Sequence, residues 1–198
     1  MGVHGLEFVR MARKGVNGYL RKFRGERVKP NGFRLDTSTL REAIWALIGS
    51  ALGIGVCGYL SAKFFEPREA TLILGSFGAS AVLVYGVVRS PLSQPRNLVG
   101  GHLISALIGV GCQQFVGVEW LAGALAVSLS LVAMVLSDTM HPPGGATALI
   151  AVIGGPSILD LGYFYVLMPV GAGAVILLLI AVAVNNLAKD RRYPERWL

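Results

Sequence analysis

Ser137-Asp138-Thr139-Met140-His141-Pro142-Pro143-Gly144-Gly145-Ala146 lies between two apolar runs and collects residues that a lipid-buried segment normally excludes. Asp138 and His141 are ionisable, and such groups near membrane depth are costly enough to point to a function. The two prolines stop a helix arriving from the N-terminal side, because neither offers a backbone N–H and each crowds the turn before it. Gly144 and Gly145 let the next helix begin with its amides uncovered, a positively polarised start beside a histidine and an aspartate. The plainer reading of the same stretch is a tight turn between two spans.

Composition says where such a stretch lives. Of 198 residues, 54% are hydrophobic and only 15% charged; mean hydropathy is +0.61. A soluble domain carries nearer a quarter charged residues. Charges are also missing from long internal runs, which makes this an integral membrane protein. No polar linker interrupts the chain after residue 40, so a single membrane domain is expected. Cys57 and Cys112 fall in apolar runs without metal-ligand spacing, and read as small buried side chains with no disulfide.

Six apolar runs place spans near Leu40–Leu60, Ala70–Val88, Asn97–Val116, Trp120–Leu136, Gly144–Leu159 and Tyr163–Leu187. A bilayer core takes about 20 helical residues, so the fifth run is marginal and the sixth is long enough to tilt. Helices are the economical form, since lipid satisfies no open backbone group. With the N-terminus inside, the inner segments carry Arg10, Arg13, Lys14, Arg21, Lys22, Arg24, Arg27, Lys29, Arg34 and Arg41, then Arg89 and Arg96, then Lys189, Arg191, Arg192 and Arg196. The outer segments carry Lys63 and Arg68. That bias is sixteen against two and supports the orientation. The expected fold class is all-α: a polytopic membrane helix bundle of about six transmembrane helices with both termini cytoplasmic.

Three regions follow: a basic arm over 1–39, a transmembrane domain over 40–188 and a basic tail over 189–198. The arm has no apolar core, so it is no secretory signal peptide, and Leu6 stands where a myristoylation signal needs Ser or Thr. Val9 to Phe23 can form an amphipathic helix on anionic lipid. Beside a membrane domain, orientation and lipid contact explain the arm better than nucleic acid does. A bacterial cytoplasmic membrane is preferred to a plastid envelope, because the arm is poor in transit-peptide features.

The loops Arg89–Asn97 and Ser137–Ala146 face the same side, and each precedes an apolar helix. One reads Gln94-Pro95-Arg96 and then Gly100-Gly101-His102; the other reads His141-Pro142-Pro143-Gly144-Gly145. The shared order fits a parallel repeat of the kind that builds transporter sites, or chance likeness between two glycine-rich helix starts. Together with Gly75-Ser76-Phe77-Gly78-Ala79-Ser80-Ala81-Val82-Leu83 and Ser90-Pro91-Leu92-Ser93, these ordered motifs resemble the HPP family of integral membrane proteins, over roughly Leu40 to Leu187. The resemblance implies about four spans, two fewer than the apolar runs suggest. Some bacterial members continue into a CBS-type regulatory domain, and none is expected after Leu198. Plant plastid members are implicated in nitrite movement, and the resemblance implies a small inorganic anion here.

The residues can be asked separately about an anion. Helix starts at Asn97 and Gly144 offer amides, and Arg96, next to Gln94, offers planar donors suited to a bent two-oxygen anion. Arg96 can equally mark the headgroup level or pair with Asp138. His102, deeper in its span, can carry a proton or bond a neighbouring helix. Asp138 and His141 can form a proton relay, or serve as a cap and a loop histidine. Ser76 and Ser80 sit among small residues that either pack closely or unwind. The candidate substrate-binding set is Arg96, Asn97, His102, His141, Gly144, Gly145, Ser76, Ser80 and Gln94, with Asp138, His141 and His102 as proton carriers. No nucleophile–base pair or metal cluster points to an enzyme, a metal or a cofactor. Trp45, Trp120, Tyr163, Tyr165 and Trp197 read as interfacial anchors, and the Gly/Ala faces allow a homodimer. The alternative function is a non-transporting membrane module that anchors or signals to a cytoplasmic partner.

Overall fold

The computed structural model describes residues 37–64 and 75–197. Residues 1–36 of the basic arm, and the amphipathic helix expected there, lie outside those residues, while 37–39 already belong to the first helix. The described chain is an all-α bundle. Helix α1 is Thr37–Phe64. Helix α2, Gly75–Ala81, runs into a π-helical turn at Val82–Gly86. A 3-10 turn at Pro91–Ser93 leads into α3, Pro95–Phe115, and then α4, Glu119–Leu136. The short α5, Pro143–Ile153, is followed by a single turn, α6, at Pro156–Leu159. A π-helical turn at Val166–Gly171 opens into α7, Ala172–Leu187.

Sequence explains these limits. Pro95 and Pro143 stand in the first turn of α3 and α5, where a missing N–H costs nothing. Gly154-Gly155-Pro156 ends α5, and Gly155 takes φ +79, which suits glycine. Among the described residues, four helical segments are long and apolar enough to cross a bilayer: those built on α1, α3, α4 and α7. The segments Gly75–Gly86 and Pro143–Ile153 are shorter. This reconciles the two expectations, because six apolar runs contain four long helices and two short ones. An 11-residue helix spans about 16 Å, roughly half a hydrocarbon core. The fifth run is therefore not one helix to Leu159.

The path of the chain follows from its ends. Arg41 pairs with Asp190 at 2.5 Å, Arg191 with Glu42 at 2.6 Å and Arg96 with Asp138 at 2.9 Å. The start of α1, the 87–97 connection, the 137–142 loop and the tail after α7 thus bring their charges to what we call the inner end. At the other end Gln113, Glu119, Val152 and Leu159 line one hollow. The chain leaves the inner end and returns to it three times.

Packing between α3 and α5 is unusually close because glycines line the seam. A methyl placed on Gly109 falls 2.6 Å from the Ala148 carbonyl oxygen, and one on Gly144 falls 2.9 Å from the Gly101 oxygen. Gly101 meets His141 and Gly109 meets Ala148 and Ala151, so the two helices run parallel. Small residues at such seams let backbones touch where lipid supplies no hydrophobic drive. A core of Phe77, Leu98, Tyr85, Val170 and Leu177 fills the rest. Large apolar side chains cover the outside, Leu47, Val82 and Leu167 each 67% exposed, as a lipid-facing surface requires.

One expectation is corrected here and one open alternative is decided. Tyr165 is fully buried rather than an interfacial anchor, and its hydroxyl donates to the Thr147 carbonyl at 3.1 Å. Gly75–Ala81 is helical, not unwound; the irregular turn comes after it, at Val82–Gly86. Trp120, Tyr163 and Trp197 are exposed and Trp45 half-buried, as anchors would be, while Cys57 and Cys112 are buried free thiols.

Candidate functional site

The 137–142 loop does not stay at the inner end. Asp138 adopts φ +53, a left-handed turn that Asp tolerates, and the chain then dips inward. A methyl on Gly101 would lie 2.6 Å from the His141 Cβ and 2.8 Å from the Thr139 oxygen. Gly101 is six residues into α3, so His141 sits about 9 Å along that helix. Helix α5 starts from that depth. Its start is less bare than expected: the Gly144 amide donates to the His141 carbonyl at 2.8 Å and the Gly145 amide to Pro142 at 3.0 Å.

Ser80 of α2, His102 of α3, His141 of the loop and Thr147 of α5 meet there, all with no solvent exposure. Ser80 Oγ lies 2.7 Å from His102 Nε2 and 2.9 Å from His141 Nε2. His102 Nδ1 is 2.7 Å from Thr147 Oγ1, and His141 Nδ1 is 2.8 Å from the Leu92 carbonyl oxygen. The imidazole centroids are 4.9 Å apart, and Phe77 meets His102 edge-on at 5.2 Å.

With both rings neutral, the Leu92 carbonyl fixes where the protons lie. Leu92 can only accept, so His141 Nδ1 carries hydrogen and the neutral ring accepts at Nε2. Ser80 must donate to that nitrogen and therefore accepts from His102 Nε2–H. His102 Nδ1 is then bare and accepts from Thr147. Donation runs one way, from Thr147 through His102, Ser80 and His141 to Leu92, with both rings neutral and every nitrogen satisfied.

The other candidates lie elsewhere or play different parts. Arg96 donates to Asp138 at 2.9 Å and to the Ser137 carbonyl at 2.8 Å, so it holds the loop at the inner end. Asp138 is turned to Arg96 while both His141 nitrogens are engaged with Leu92 and Ser80, so the two do not form a relay. Asn97 donates to the Met140 carbonyl at 2.9 Å and steadies the same loop. Gln94 donates to the carbonyls of Val88 and Ser90 and accepts from the amide of Glu195. Ser76 Oγ is buried without a hydrogen-bond partner, one turn from Ser80. His102 bonds neighbouring helices, one of its two sequence readings.

Several participants were not singled out from sequence. Thr147 faces His102 only because α5 begins deep, which no periodicity reveals. Leu92 acts through its carbonyl, so its side chain gave no signal. The tail contributes as well. Arg191 is 8% exposed and donates to Glu42, Tyr85 and Asn185, where its place among basic residues suggested only orientation. Tyr193, buried so that its phenol is pushed above the ordinary value, donates to the Ser93 carbonyl at 2.7 Å. That contact clamps the turn carrying Leu92.

A family profile described as "HPP, transmembrane region" matches residues 36–194. A transmembrane protein of Dictyostelium discoideum is 42% identical over 183 residues, which are 90% of this chain and 57% of that protein. Another from the same organism is 41% identical over 162 residues, 80% of this chain and 56% of the relative. The chain thus spans a little over half the length of these curated relatives. No solved structure matches.

Proposed function

The chain belongs to the HPP transmembrane family, and from that premise we propose that it carries a small inorganic anion, nitrite first, across the membrane through the Ser80–His102–His141–Thr147 centre. The observation that carries this reading is the centre itself. Two imidazoles and two hydroxyls sit fully buried among lipid-spanning helices, reached by a loop that dips from the inner end. Intramembrane ionisable groups are retained for function because they are costly. Ser80 Oγ bridges the two Nε2 atoms, and an anion oxygen that displaced it would accept from His102 Nε2–H, and from His141 Nε2 only when that ring is protonated. Arg96, paired with Asp138, stands at the inner end in a hollow that Arg196 also lines, and the second guanidinium leaves that hollow net positive toward anions.

Nitrite rests on the family resemblance; the centre's buried N–H and hydroxyl groups support an anion in general. The bacterial cytoplasmic membrane is the proposed location, with the charged end inside. The test is uptake into proteoliposomes, with nitrite, nitrate, formate and chloride compared in the wild type and in Arg96→Gln. Selective uptake, slowed by Arg96→Gln, supports the reading. No uptake above empty liposomes by folded protein sinks it and favours a non-transporting module.

A further inference from the structure

The geometry points to His102–Ser80–His141 as a proton-loading site, in which one proton is taken up with each anion. The coupling to an anion rests on the transport reading; the proton site does not.

Each hydroxyl in the centre has a second acceptor in reach. Ser80 Oγ can turn from His141 to the Ser76 carbonyl oxygen at 3.1 Å. Thr147 Oγ1 can turn from His102 to the Pro143 carbonyl at 3.4 Å. A proton added to His141 Nε2 therefore leaves nothing unpaired. That N–H donates to Ser80, whose own proton swings to Ser76, while His102 still donates to the second lone pair of Ser80. A proton added to His102 Nδ1 donates instead to Thr147, whose proton swings to Pro143.

Charge passes from one ring to the other through Ser80. From the form loaded at His102, Nε2–H gives its proton to Ser80 Oγ as Ser80 gives its own to His141 Nε2, which leaves His102 neutral, with its Nδ1–H toward Thr147 and its Nε2 accepting from Ser80. Only N–H and O–H bonds break and form, and one net charge moves from the α3 ring to the loop ring. Beyond His141 the chain of donors stops, because the Leu92 carbonyl cannot pass a proton on. Release toward the inner end requires the Pro91–Ser93 turn to move, and the Tyr193 hydroxyl holds that turn through Ser93.

Charge balance couples the proton to an anion. The groups facing the rings are Ser80 and Phe77 from α2, Thr147 from α5 and the Leu92 carbonyl from the connecting turn. Tyr165, from the segment before α7, reaches Thr147 only through its carbonyl. The charged pair at the loop that carries His141, Arg96 with Asp138, is spent on itself at the inner end. A protonated ring at this depth has no carboxylate to offset it among these neighbours. An anion arriving beside it supplies the missing charge, and the pair moves as a neutral load.

The test has two readouts on the full-length protein. The chain has three histidines, His4, His102 and His141, so nitrogen NMR of histidine-labelled protein in nanodiscs resolves each ring. Over about pH 4 to pH 8 the signals of His102 and His141 should change together. In Ser80→Ala they should change independently, and Ser80→Thr should restore the joint response. Independent titration in the wild type, or a joint response that survives Ser80→Ala, overturns the proton site. In proteoliposomes, nitrite uptake should follow a pH gradient and ignore an imposed potential. Uptake that follows the potential and ignores pH overturns the coupling while anion transport stands. Joint titration without any uptake upholds the proton site and counts against the anion reading alone.

Discussion

Ser76 and Ser80 stand one turn apart on α2, both fully buried, and the structure assigns them opposite energetics. Replacing Ser80 by Ala removes the partner of two buried ring nitrogens at 2.7 and 2.9 Å. Leaving a buried donor or acceptor unpaired costs about 1–3 kcal/mol, so two give about 2–6. The true loss falls near the lower bound, because side-chain hydrogen bonds between membrane helices average only about 0.6 kcal/mol. We expect Ser80→Ala to cost about 2 kcal/mol, a fall in thermal midpoint of about 4–8 °C for a chain this long. Ser76→Ala deletes a hydroxyl that bonds nothing, so its midpoint should hold or rise. Thermal unfolding in detergent, followed by the loss of the monodisperse elution peak, measures both. Equal losses in the two variants would refute the reasoning.

Other consequences follow from the same contacts. Gly109→Ala sets a methyl 2.6 Å from a backbone oxygen that cannot give way, and should cost about 1–3 kcal/mol, while Gly78→Ala, with nothing nearby, should be silent in the same assay. Arg191→Met leaves the Tyr85 carbonyl and the Asn185 amide oxygen without a donor, and should cost about 2–4 kcal/mol by thermal unfolding; Glu42, half exposed, recovers some of its hydration. Arg96→Gln breaks an exposed pair and should change stability by under about 1 kcal/mol while slowing uptake, a split read by running both assays on one preparation. Tyr193→Phe frees the turn bearing Leu92 and should speed hydrogen exchange at Ser93 and Gln94 relative to α3, measured by mass spectrometry.

How much of this was legible in the sequence depended on what kind of information each feature needs. Long apolar runs and their proline and glycine punctuation set α3 and α4 to within about two residues of the expected spans, because helix ends are local chemistry. The end of α5 was also written locally, in Gly154-Gly155-Pro156, but the run was read through it to Leu159. His141, His102 and Ser80 were candidates from residue type alone. Their union was not readable, since a sequence shows which face a residue takes and not how far a loop sinks between helices. Arg96 and Asp138 were identified with their pairing left open, and the pairing holds in the structure. Tyr165 was misjudged because an aromatic near a span's end usually sits at the headgroups, and Arg191 was counted only toward orientation. Here both fold back into the core.

The most direct test of the account is nitrite uptake by proteoliposomes holding the wild type, His102→Asn or His141→Asn at matched amounts of folded protein. Each substitution removes a nitrogen from the buried centre without adding charge. The account predicts rapid uptake by the wild type and at least about a tenfold loss in both variants, a loss worth about 1.4 kcal/mol of barrier. Wild-type rates in either variant would contradict the claim that the anion passes through the Ser80–His102–His141 centre.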